Sequence, residues 1–135
     1  MRNNKVLIVD DEMDMRIYLS TLLETSGYKV IVATNGEEGI QKARKHQPAV
    51  IILDVLMPKS GGIQMYREVK TDDNLKTTPV IMISAIAKKT FLHSMKMLDS
   101  HRGETVPEPE GYIEKPPESD ELLETLVKCI GSAKQ

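Results

Sequence analysis

Carboxylates gather at two points of this 135-residue chain: Asp10 and Asp11 within VLIVDDE, and Asp54 within IILDVLMPKSGG. Each group ends an apolar run that reads as a buried strand, a poor place for acids unless a cation meets them. Two carboxylates ~4 Å apart repel by roughly 4 kcal/mol at a protein-like dielectric, so three brought together would shift their pKa values or recruit an ion. Oxygen donors with no histidine or cysteine beside them select a hard cation, and Mg2+ is the usual one where phosphate chemistry follows. Ser84 ends a further apolar run, VIMIS, and Lys115 ends YIEK. A neutral hydroxyl donor and a compact ammonium suit the surroundings of a transferred phosphoryl group. A carboxylate accepts such a group once a metal offsets the charge repulsion. Asp54 is therefore the candidate nucleophile, with Asp10 and Asp11 holding the ion.

That chemistry requires residues far apart in sequence to share one place, and the order of elements predicts that they do. Strand-like runs at Val6–Val9, Lys29–Ala33, Ala49–Leu53, Pro79–Ser84 and Gly111–Lys115 alternate with segments of helical periodicity. Leu19, Leu22 and Leu23 mark the first helix, and Leu122, Leu123, Leu126 and Ile130 the last. Alternation of this kind implies an α/β fold: a three-layer, doubly wound, five-stranded parallel sheet with helices on both faces. Near-continuous apolar strands agree, because both of their faces would be buried. All strand C-termini then lie on one edge, where ligands bind, and that edge carries Asp10, Asp11, Asp54, Ser84 and Lys115. The segment Asp99–Gly111, with its prolines, glycines and acids, breaks the rhythm and reads as an extended surface loop.

Composition narrows the function further. The length suits a single domain, residues 1–135, able to bury its own core. A formal net charge of −2 argues for no nucleic-acid partner and no membrane partner. The single cysteine, Cys129, rules out an internal disulfide and fits a reducing compartment. With no signal peptide or spanning segment in the sequence, the expected location is cytoplasmic.

The motifs VLIVDDE, IILDVLMPKSGG, VIMISA and YIEKP, in that order, resemble the signature regions of the receiver domain of two-component response regulators. The resemblance runs from about Lys5 to Ile130 and implies the flavodoxin-like strand order 2-1-3-4-5. It implies that Asp54 takes a phosphoryl group from the phosphohistidine of a histidine kinase or phosphotransfer protein. Mg2+ would be held by Asp11, Asp54 and the backbone carbonyl of Leu56, with Asp10 acting through water. Lys115 would pair with the phosphoryl oxygens, Ser84 would move inward to hydrogen-bond one of them, and Tyr112 would fill the vacated space. That would remodel the face of the fourth helix, fifth strand and fifth helix, where a downstream protein target would dock. The Lys115–Pro116 bond is expected to be cis.

The energies permit a switch. A phosphoryl group brings a charge of about −1.5 to −2, and charge-assisted hydrogen bonds contribute about 1.5–3 kcal/mol each. Ser84 and Lys115 together thus approach the ~5.5 kcal/mol that inverts a 1:99 equilibrium. Leu56 and Ile86 match the positions that flank the attacking water in this family. Both are apolar and cannot orient water, so a long-lived aspartyl phosphate is expected. The reading is a regulatory phosphoacceptor with no output domain, not an enzyme of general turnover. Three alternatives stand beside it: a phosphorylation-independent interaction module, a phosphorelay intermediate that passes the group to another histidine, and, last, a Mg2+-dependent phosphohydrolase with an aspartyl intermediate. The last needs a second acid two residues past its nucleophile, where this chain has Leu56.

Overall fold

The structure is a computed structural model describing residues 3–56, 61–103 and 105–134. Strands and helices alternate through β1 (Lys5–Val9), α1 (Met13–Thr25), β2 (Lys29–Ala33), α2 (Gly36–His46), β3 (Val50–Asp54), α3 (Gly62–Thr71), β4 (Val80–Ser84), α4 (Lys88–Arg102), β5 (Gly111–Glu114) and α5 (Ser119–Lys134). All pairings are parallel and the sheet order is β2-β1-β3-β4-β5, as the motifs imply.

The apolar strands are explained by side-chain alternation. Successive residues of a strand point to opposite faces, and here both faces are covered. Val6 and Ile8 of β1, Val50 and Ile52 of β3, and Ile81 and Ile83 of β4 pack with Leu19 and Leu23 of α1 and with Leu122 and Leu126 of α5. Their neighbours Leu7, Val9, Ile51, Leu53, Val80 and Met82 pack on the other face with Ile40 of α2, Met65 and Tyr66 of α3, and Phe91 and Met95 of α4. A polar residue inside any of these three strands would lose its water whichever way it faced. The polar groups therefore come at the strand ends, on the C-terminal edge.

Register sets them level there. Val9 pairs with Leu53, so Asp10 and Asp54 are the next residues on adjacent strands. Ser84 pairs with Glu114, and the Lys115 N–H donates to the Ser84 carbonyl at 2.8 Å, continuing the ladder one residue past β5. Helix α3 begins hard against this edge. A Cβ on Gly62 would lie 2.8 Å from the Asp54 carbonyl oxygen and 2.9 Å from that of Val55, closer than real Cβ atoms come, so glycine is required.

One expectation is corrected. Asp99–Arg102, read from the sequence as the start of a loop, form the last turn of α4, which Gly103 closes in the left-handed conformation at φ 69°. The helix continues because Asp99, an unpromising residue for an inward position, finds partners there. Its carboxylate pairs with Arg67 of α3 at 2.8 Å and accepts the Val106 N–H at 3.4 Å. The irregular segment that follows is tied down. Val106 is buried, the Tyr66 hydroxyl donates to the Pro107 carbonyl, and Glu110 takes the Lys70 ammonium at 2.9 Å and the Val80 N–H at 2.8 Å.

Candidate functional site

The C-terminal edge of the sheet brings Asp10, Asp54 and Lys115 together. Asp10 follows β1, Asp54 ends β3, and both carboxylates are buried. Lys115 reaches across from the end of β5, its Nζ 3.0 Å from Asp54 Oδ2 and 3.8 Å from Asp10 Oδ2. The Lys115–Pro116 bond is cis, as expected. Asp54 Oδ1 accepts the Leu56 N–H at 2.9 Å, so both oxygens of the candidate nucleophile are engaged. Asp10 Oδ1 accepts the Glu12 N–H at 2.8 Å, which shapes the turn out of β1.

Glu12 is a member of the cluster to which the sequence reading gave no role. Asp10, Glu12 and Asp54 each offer a carboxylate oxygen within 4.8 Å of the others, and Glu12 Oε1 lies 2.9 Å from Lys115 Nζ. Asp11, expected as a direct metal ligand, is exposed and outside that set. The turn after β1 buries Asp10, brings the exposed Glu12 beside it and leaves Asp11 out of the set, and the one signal in the sequence was the unbroken run of three. The donor set still fits a hard divalent cation, being all oxygen, with two of its three carboxylates withdrawn from water.

Burial pushes the Asp10 carboxyl up to about 6; the hydrogen bond from Glu12 opposes the rise and the charge of Asp54 adds to it. Burial alone would lower the Lys115 ammonium, yet the hydrogen bonds to Glu12 and Asp54 and the charge of Asp10 outweigh it and hold it above the usual lysine range. Because the folded pKa of Asp10 exceeds its unfolded value of 3.8, the metal-free fold loses stability as pH rises from about 4 through 6 and keeps that loss above 6. A shift of this size, which already includes the attraction to Lys115, corresponds to about 3 kcal/mol. Asp10→Asn is therefore expected to stabilise the chelator-treated protein by about 2 kcal/mol at neutral pH, to lose that advantage near pH 4, and to bind Mg2+ more weakly. Urea unfolding at the two pH values and calorimetric titration with Mg2+ check both parts; equal stability of the two proteins at neutral pH would refute the first.

Ser84 is fully buried at the end of β4, and its Oγ accepts the Ile86 N–H at 3.0 Å. Tyr112 is half-buried on β5, its hydroxyl donating to the Ile86 carbonyl at 2.7 Å. Burial raises the pKa of that hydroxyl, with the Ser84 hydroxyl opposing. Its ring centroid is 5.5 Å from that of Phe91 at the start of α4. A continuous line of contacts thus runs from Ser84 through both polar groups of Ile86 to Tyr112 and Phe91. Leu56 is exposed beside Asp54, and Ile86 is partly buried against the core. Met57 to Ser60, the rest of the MPKS stretch, lie outside the described residues. No helix among the described residues is long and apolar enough to cross a membrane.

Residues 6–127 match the family model for the response regulator receiver domain. The chain is 30% identical over 133 residues to the polar-differentiation response regulator DivK of Brucella anthropi, covering 98% of this chain and 100% of that one. Its fold matches the chemotaxis protein CheY4 of Vibrio cholerae at a TM-score of 0.75 and 33% identity, covering 93% of this chain and 97% of the other. It also matches the receiver domain of a signal transduction histidine kinase from Syntrophus aciditrophicus at a TM-score of 0.82 and 26% identity, over 98% of this chain and 93% of that one. With the signature motifs, the 2-1-3-4-5 sheet and the acidic pocket all in place, the chain belongs to the response regulator receiver domain family.

Proposed function

We propose that this chain is a phosphorylation-controlled signalling protein in which Asp54 accepts a phosphoryl group from the phosphohistidine of a histidine kinase or phosphotransfer protein. The observation that carries the reading is the pairing of a buried Asp54 carboxylate with the Lys115 ammonium at 3.0 Å, beside a second buried acid. An oxygen of Asp54 attacks phosphorus, the P–N bond breaks, and the imidazole leaves with the bonding pair and takes up a proton. Bound Mg2+ supplies charge neutralisation between the carboxylates and the phosphoryl oxygens. Asp10, Asp11, Asp54 and the Leu56 carbonyl are the groups we assign to hold it. Lys115 moves from Asp54 to the phosphoryl oxygens, and Ser84 donates its hydroxyl proton to one of them, its Oγ already accepting from Ile86.

The conformational consequence follows the contacts. A pull on Ser84 acts on the Ile86 amide, and the Ile86 carbonyl holds Tyr112, which packs on Phe91. Displacement at Asp54 thereby reaches α4 and β5, and we assign the face of α4, β5 and α5 to the downstream protein partner, in the cytoplasm. Leu56 and Ile86 offer no side chain that orients an attacking water. Incubation with acetyl phosphate and Mg2+, followed by intact mass measurement, is expected to add one phosphoryl group that persists well beyond seconds after the donor is removed. No addition would overturn the proposal, and sustained hydrolysis of a generic phosphate ester would favour a phosphohydrolase instead.

A further inference from the structure

Glu12 is the member of the carboxylate cluster for which the proposed transfer has no use. Its side chain is 62% exposed, whereas those of Asp10 and Asp54 are 2% exposed, so desolvation does not force it onto a partner. It nonetheless meets Lys115 at 2.9 Å, as closely as Asp54 does at 3.0 Å. An ammonium has three donors, and here they face three carboxylates, at 2.9, 3.0 and 3.8 Å. Those contacts hold the side chain between the buried floor of the site and its open rim.

Asp54 meets the Leu56 amide through Oδ1 and Lys115 through Oδ2, so the oxygen nearest the amine shares its charge with that ammonium. In the proposed transfer Lys115 shifts its pairing from Oδ2 toward the incoming oxygens. Glu12 sits at the exposed rim, already bonded to that amine, and carries the same sign of charge as the incoming group. It competes with the phosphoryl group for a single ammonium.

We propose that Glu12 is a latch on Lys115: a positioning residue that holds the amine in the unloaded arrangement and sets how readily the site takes up a phosphoryl group. The inference rests on the reading of Asp54 as the phosphoacceptor and extends it to the regulation of the same site. Neutralising Glu12 without shortening it should release the latch, and the gain should depend on the amine it acts through.

The test is a double-mutant cycle at saturating Mg2+. Affinity for beryllofluoride, which mimics a bound phosphoryl group, is measured by calorimetry, and labelling by acetyl phosphate by intact mass. Glu12→Gln is expected to raise both the affinity and the labelling rate by about three- to fivefold, the range open to an exposed ion pair. Glu37→Gln, an exposed acid of α2, is expected to change neither. In a Lys115→Met background most of the Glu12→Gln gain in beryllofluoride affinity should vanish. An equal gain in both backgrounds would show simple charge repulsion and overturn the latch, as would no gain or a loss in the wild-type background. If labelling of the wild type requires Asp54 yet Glu12→Gln labels no faster, only the latch fails. If Asp54→Asn is labelled as fast as the wild type, the phosphoacceptor reading itself fails.

Discussion

Asp54→Asn is expected to take up no phosphoryl group under conditions that modify the wild type completely, while remaining folded. The amide keeps an oxygen to accept the Leu56 N–H, so the turn after β3 retains its bond. It lacks the anionic oxygen that attacks phosphorus, and it withdraws the charge that faces Lys115 at 3.0 Å. Stability should move little. Loss of attraction to the ammonium is set against relief of repulsion from Asp10 and Glu12, both within 4.8 Å by their nearest oxygens. A net change within about 1 kcal/mol by urea unfolding is expected, together with a folded circular dichroism spectrum. Intact mass after acetyl phosphate treatment is the decisive measurement. Stoichiometric addition to the variant would move the phosphoacceptor elsewhere and dissolve the roles given to Ser84 and Lys115.

The largest effect on stability is expected far from that edge, at Glu110→Ala. The Lys70 side chain is 1% exposed, and besides the carboxylate of Glu110 its ammonium has only the Thr78 carbonyl at 3.3 Å and the Tyr66 ring, 5.8 Å away, among its partners in the described residues. Removing Glu110 leaves a buried charge without its counter-ion and strips the Val80 N–H of its acceptor. Breaking a buried pair in this way costs about 3–5 kcal/mol. The reverse deletion should differ. Lys70→Met removes the charge that needed a partner, and Glu110, 40% exposed, stays hydrated and keeps the Val80 bond. A cost of about 1 kcal/mol or less is expected there. Chemical denaturation of the two variants compares them directly, and equal losses would refute the account. Hydrogen exchange at Val106 should quicken in Glu110→Ala, because the segment between α4 and β5 loses its anchor near β5.

How much of this could be read from the chain depends on how local each cause is. The run Val50–Leu53 announces a strand with two buried faces because a strand's surroundings are encoded in its own residues. The meeting of Asp10, Asp54 and Lys115 was also legible, since element order dictates a parallel sheet and such a sheet has a single C-terminal edge. Asp11 and Glu12 were not distinguishable in the same way. Which of the two joins the cluster depends on the path out of β1 and on the hydrogen bond that the Glu12 amide gives to Asp10. The end of α4 was misread for a similar reason. Asp99 looks like a helix breaker until Arg67, 32 residues earlier, is placed opposite it.

The sequence by itself determined the layered α/β architecture, the family and the edge where the candidate site residues meet, because alternation of apolar runs and the order of motifs are properties of neighbouring residues. Only the tertiary structure decided that Glu12 joins Asp10 and Asp54 around Lys115, that Arg67 holds the last turn of α4 through Asp99, and that Lys70 holds the segment before β5 through Glu110. Those pairings join groups dozens of residues apart, and a charged side chain finds its partner only after the backbone has brought both within a few ångströms.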